Sequence, residues 1–123
     1  LAKPVSEKRL PSLTLNGEVV GSPIYMSPEQ CQGFELDHRS DIYSLGCLFY
    51  EAICGFPPFR GSNSMETLRM HVQDEPVDPP AHLCSEKMRN ILRKCLQKRP
   101  EDRYASACEI EMPIVASSIG ALV

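Results

Sequence analysis

The sequence predicts a mainly α-helical fold, four helices after a long loop, and three observations carry that prediction. Polar capping residues stand immediately before helical stretches at Ser40 or Asp41, Asn63, Ser85 and Ser106. Gly55, Pro76 and Pro100 punctuate the chain between those stretches. No internal repeat and no convincing strand appears.

Residues 1 to 20 mix Pro4, Pro11, Gly17, charges, Ser and Thr without helical or alternating period, which is loop composition. Residues 40 to 54 form the first predicted helix, with Ser40 or Asp41 as N-cap and Gly55 as the stop. Their apolar residues surround the axis, the pattern of a helix buried on all sides. Gly55-Phe56-Pro57-Pro58-Phe59 then breaks the chain.

A second helix is predicted from Asn63 to about Val72, opened by a capping box between Asn63 and Glu66. Pro76, Pro79 and Pro80 forbid helix and make an extended connector. The clearest periodicity comes next: Met88, Ile91, Leu92, Cys95 and Leu96 fall on one face behind a Ser85 cap. Lys94, Lys98 and Arg99 suit the negative end of that helix dipole, and Pro100 is its terminator. Ser106 caps a last short helix through Met112, interrupted by Pro113. The apolar stripes read as core packing.

At 123 residues the chain suits one compact domain that buries about two thirds of its unfolded surface. A net charge of -3 with scattered basic residues leaves no footprint for nucleic acid or an anionic membrane. None of Cys31, Cys47, Cys54, Cys84, Cys95 and Cys108 forms a close C-x-x-C pair, so neither a metal site nor a disulfide framework is expected. Buried reduced thiols are expected instead, which places the chain in the cytoplasm. No basic start followed by an apolar run marks a signal peptide, and the first residue is Leu rather than Met, which reads as a processed or truncated chain. Ile114 to Val123 is mostly apolar but spans ten residues, where a membrane helix needs about twenty.

Four short motifs occur in order along residues 21 to 107. They are Gly21-Ser22-Pro23-Ile24-Tyr25-Met26-Ser27-Pro28-Glu29; then Asp41, Tyr43, Ser44 and Gly46; then Gly55, Pro58 and Phe59; and lastly Arg99, Pro100 and Arg103. This set resembles the protein-kinase family, which closes its activation segment with Gly-Thr-x-x-Tyr-Met-Ala-Pro-Glu and places the other three motifs on the helical lobe behind it. Ser22 replaces Thr and keeps the hydroxyl, and Ser27 replaces Ala and stays small. The Leu1-Ala2-Lys3 opening is similar to the residues after Asp-Phe-Gly in many kinases, and the Tyr25-to-Gln30 and Arg39-to-Gly46 runs resemble bacterial relatives of the eukaryotic kinases.

The resemblance implies a helical C-terminal lobe of the kinase fold, without the N-terminal β lobe or the catalytic loop. It divides the chain into an activation segment at 1–29, a helical lobe at 30–112 and an apolar tail at 113–123. It pairs Glu29 with Arg103 as a buried ion pair that holds the activation segment onto the lobe. Asp41 and Gly46 become scaffold residues; with the catalytic loop missing, capping is the one role left to Asp41. Ser22, Pro23 and Ile24 would position the substrate, Ser22 by bonding the catalytic aspartate, and the unbulky sequence there implies Ser/Thr rather than Tyr specificity. Ser6, Ser12 and Thr14 are candidate activation-loop phosphosites, Ser12 and Thr14 foremost, although the arginine that usually answers such a phosphate belongs to the missing His-Arg-Asp motif.

Phosphoryl transfer also needs a glycine-rich loop, a strand lysine, an aspartate base with an asparagine, and a magnesium-binding aspartate, none of which is recognisable in the chain. His38-Arg39-Ser40-Asp41 is not a catalytic loop, because Ser40 splits it. No catalytic or metal-ligating residue is therefore assigned. The expectation is part of a Ser/Thr protein kinase whose parent uses ATP and magnesium to phosphorylate proteins, with this chain binding neither alone and catalysing nothing alone. Two alternatives are a non-catalytic interaction module and a fragment too incomplete to fold stably.

Overall fold

The computed structural model describes residues 22–111. Gly21, the candidate phosphosites Ser6, Ser12 and Thr14, and the 113–123 tail lie outside the described residues. Among those described there is no strand, and the architecture is helical. Four α-helices follow one another: α1 (Pro28–Cys31), α2 (His38–Cys54), α3 (Ser64–Gln73) and α4 (Glu86–Cys95). Single 3₁₀ turns precede and follow them at Pro23–Tyr25, Pro100–Asp102 and Ala107–Glu109.

The helix α1 is short because its ends are local. Ser27 accepts from the backbone N–H of Gln30, while the Gln30 side chain accepts from the Ser27 N–H, a full capping box with Pro28 at the first helical position. Gly33, at φ 74°, then turns the chain out of the helix. This element was not expected from the sequence, although the Ser-Pro-Glu-Gln pattern carries its signal.

The helix α2 begins earlier than expected, and neither Ser40 nor Asp41 caps it. Asp37 does, its Oδ1 accepting from Arg39 N at 2.9 Å. Gly55, at φ 88°, closes the helix as expected, with its N–H donating to the Glu51 carbonyl. Burial is not all-round either: Ile42, Tyr43, Gly46, Cys47 and Tyr50 are buried, but Asp41, Leu48 and Ala52 face out, Leu48 at 49% exposure. In α3 half of the expected capping box forms. Asn63 Oδ1 accepts from Glu66 N at 2.8 Å, but the Glu66 carboxylate is drawn to Arg69 instead of reaching back.

The helix α4 follows its sequence pattern closely. Ser85 Oγ caps Met88 N, and Met88, Ile91, Leu92, Cys95 and Leu96 are all at most 4% exposed. It ends at Cys95, ahead of Pro100, which opens the next 3₁₀ turn rather than terminating the helix. The expected final helix shrinks to the single turn Ala107–Glu109; Ser106 makes no cap bond, and the Glu109 carboxylate instead accepts from Ala105 N.

The core forms between α2 and α4, where Ile42, Tyr43, Cys47 and Tyr50 meet Met88, Ile91, Leu92, Cys95 and Leu96. Gly46 permits the approach: a Cβ there would stand 2.7 Å from Cys95 Cβ and 3.1 Å from Leu96 Cδ2. The Pro23–Tyr25 turn lies against both α2 and α3, and α1 lies against α3. Segment 22–31 is thereby seated on the helical body. All six cysteines are free; Cys47, Cys84 and Cys95 are buried, Cys31 and Cys54 half-buried and Cys108 exposed. Burial pushes the Cys31, Cys47 and Cys95 thiols up to about 12.

Candidate functional site

Of the residues singled out in the sequence, Ser22, Pro23, Ile24 and Glu29 lie on the segment that meets α2, and Arg103 reaches it from beyond α4. Ser22 is exposed and extended, immediately before the 3₁₀ turn of half-buried Pro23, Ile24 and Tyr25. Proline at the first position of that turn fixes its φ, which suits a turn that donates few backbone bonds of its own. Two bonds fasten the turn to α2. Tyr25 Oη donates to Glu51 Oε1 at 2.5 Å, and Ser44 Oγ donates to the Tyr25 carbonyl at 2.6 Å. Glu51 carries no signal of this role in the sequence, and Ser44 only a motif match.

Behind the turn, Glu29 and Arg103 meet in the interior. Arg103 Nη1 donates to Glu29 Oε2 at 2.7 Å and Nη2 to Oε1 at 2.9 Å, a bidentate pair. The Arg103 side chain is 0% and that of Glu29 7% exposed. The remaining donors are used as well: Nε reaches the Gln97 carbonyl, Nη1 that of Arg39 and Nη2 that of Lys98. Five bonds thus go to a group with five N–H donors, so the guanidinium is buried without an unmet donor.

Ser40 completes the cluster. Its hydroxyl donates to Glu29 Oε2 at 2.5 Å, which explains why it does not cap α2. Burial alone would raise the Glu29 carboxyl, but the bonds from Arg103 and Ser40 outweigh it and hold that carboxyl below its ordinary value. Glu29 therefore stays ionised at neutral pH. The Arg103 guanidinium also lies over the Tyr43 ring, 5.0 Å from its centroid.

Asp41 stands apart from this cluster, exposed in the first turn of α2. Gly46 lies on the opposite face, at the close contact with α4. Among the described residues no group of three or more His, Cys, Asp and Glu side chains could hold a metal ion. The arrangement can present an exposed hydroxyl on a fastened turn.

A protein kinase domain model matches residues 2–113. Among curated proteins, serine/threonine-protein kinase PknB of Mycobacterium tuberculosis is 40% identical over 106 residues, covering 85% of this chain and 17% of its own length. Serine/threonine-protein kinase pkn3 of Myxococcus xanthus is 41% identical over 101 residues, covering 79% of the chain and 18% of its own length. A fungal relative, serine/threonine-protein kinase ATG1 of Sclerotinia sclerotiorum, is 39% identical over 118 residues, 94% of the chain and 12% of that protein. The chain spans less than a fifth of the length of each of these relatives.

Proposed function

The chain belongs to the protein kinase domain family, and from that premise we propose that it supplies the substrate platform and helical lobe of a Ser/Thr protein kinase. The parent reaction is transfer of the ATP γ-phosphoryl group to Ser or Thr of a protein. In this reading Ser22 meets the catalytic aspartate of the parent domain, and Pro23 and Ile24 face the substrate residue after the phosphoacceptor. Glu29 and Arg103 anchor the segment, Asp41 and Gly46 serve the scaffold, and Ser12 and Thr14 remain candidate phosphosites. ATP and magnesium would be held by parent residues of other motifs, so the isolated chain transfers no phosphoryl group.

The observation that carries this reading is the buried Glu29–Arg103–Ser40 cluster. It fixes the segment immediately after an exposed Ser22 to the helical body, as a platform needs. Two measurements test it. The isolated chain is expected to show no magnesium-dependent ATP binding in calorimetry; micromolar affinity would refute its incompetence. The kinase carrying this segment is expected to phosphorylate Ser or Thr peptides and not Tyr peptides, and strict Tyr transfer would overturn the specificity.

A second reading, the same lobe as a non-catalytic docking module, draws support from the continuous core between α2 and α4. Cooperative thermal unfolding of the chain favours a module, and a broad transition with strong dye binding favours an unstable fragment.

A further inference from the structure

His71 is a buried titratable side chain with no part in the anchoring cluster. It lies on α3 and is 0% exposed. Its Nδ1 lies 2.8 Å from Tyr43 Oη, and its ring meets those of Tyr43 and Phe59 edge-on, with centroids 5.6 and 5.1 Å away. Its Nε2 is buried without a hydrogen-bond partner. Pairing with Tyr43 accounts for Nδ1, but neither that bond nor the ring packing accounts for a second buried nitrogen at Nε2.

The neighbours show what the second nitrogen faces. Burial, with Lys98 acting in the same direction, pushes the imidazole down to about 4, while the carbonyls of Pro23 and Ile24 stand near enough to favour the protonated form. The ring is thus neutral at physiological pH. A neutral imidazole whose Nδ1 accepts from Tyr43 Oη carries its proton on Nε2, which makes that nitrogen the donor available to the two carbonyls. Among the described residues the Pro23 carbonyl accepts a backbone bond from Met26 N, at 3.3 Å. On its other side Tyr43 lies under the Arg103 guanidinium. Arg103, Tyr43 and His71 therefore form a continuous buried stack from the ion pair to the turn.

We infer that His71, oriented by Tyr43, is a positioning residue that supports the Pro23–Ile24 turn from its buried side and so sets the surface that reads the substrate residue after the phosphoacceptor. The inference rests on the platform reading above. It extends that reading to a residue whose own side chain never touches substrate. Lys98 holds the other end of the assembly, donating to the His71 carbonyl at 2.8 Å and lying over the Phe59 ring at 4.4 Å.

The test uses the kinase whose activation segment and helical lobe this chain supplies, with H71F, H71Q and Y43F assayed at a temperature where circular dichroism shows each folded. H71F is expected to raise KM for a Ser peptide about tenfold with KM for ATP within about twofold, and Y43F to move the same way by about threefold or more. H71Q, whose amide can present a donor toward the carbonyls that Nε2 faces, is expected to restore peptide KM to within about threefold of wild type. A purely structural role would lower the melting midpoint without splitting the two KM values. If H71F does not fold, Y43F decides, since it removes one oxygen and keeps the ring. Peptide KM unchanged in the folded variants of an active enzyme overturns the inference alone; no phosphorylation by the wild type overturns the platform reading and the inference with it.

Discussion

Arg103 and Arg69 each make five hydrogen bonds, in opposite environments. Arg103 joins Glu29 and the carbonyls of Arg39, Gln97 and Lys98 with its side chain fully buried. Arg69 joins Glu66, Gln73 and Asp74 on the surface of α3 with its side chain 41% exposed. Counted as bonds the two are equals. Water makes them unequal, because it replaces every partner Arg69 would lose and none that Arg103 would. Energetic weight in this lobe therefore follows burial, and the buried arginine is the one that holds the candidate platform.

The strongest way to break that comparison is to remove one buried partner. Glu29→Ala or Arg103→Ala is expected to cost about 3 to 5 kcal/mol, because each leaves an unpaired charge in the interior. Urea denaturation measures it, and a loss under about 1 kcal/mol would place the pair with the surface ones.

Acid probes the shielded groups next. The folded value of His71, about 4, lies below its ordinary 6.5, so the unfolded chain binds more protons between those limits and stability falls as pH drops through them. The expected loss is roughly 3 kcal/mol across that window, and His71→Phe should flatten the dependence there. The groups against the ring are Tyr43 and Lys98. Glu29 acts lower: its depressed carboxyl contributes stability above its ordinary 4.5 that is lost as pH falls through its folded value. A urea midpoint constant from pH 6.5 to 4 would contradict the assignment of His71.

Gly46→Ala asks whether an uncharged close contact can rival the ion pair. The new Cβ would stand 2.7 Å from Cys95 Cβ, and the expected cost is about 1 to 3 kcal/mol from overpacking. Thermal unfolding of the variant measures it. The smallest effect belongs to Arg69→Ala, for which the midpoint should stay within measurement error. Adding salt sharpens the contrast, since it screens the Arg69 pairs and leaves the buried pair nearly untouched.

Legibility from sequence divides along the same line between local and shielded interactions. The helix α4 is readable because its cap and its stripe are set within twelve residues, from Ser85 to Leu96. The start of α2 is hidden in the sequence because Ser40, a good cap on local grounds, spends its hydroxyl on Glu29 eleven residues away. The outward face at Leu48 and Ala52 could not be seen in a helix with apolar residues all round its axis. Family resemblance brought Glu29 and Arg103 together, where periodicity had nothing to say about them. His71 carried no signal at all: one histidine in an amphipathic helix looks the same whether it packs idly or props a turn.

The Glu29–Arg103 pair joins residues 74 positions apart. During synthesis at about 5–20 residues per second, Glu29 leaves the ribosome several seconds before Arg103 is made. Throughout that interval the carboxylate has only Ser40 as a possible side-chain partner from the cluster. Segment 22–31 can therefore be locked down only after the last of the four helices has emerged, which makes its seating a late event in the life of the nascent chain.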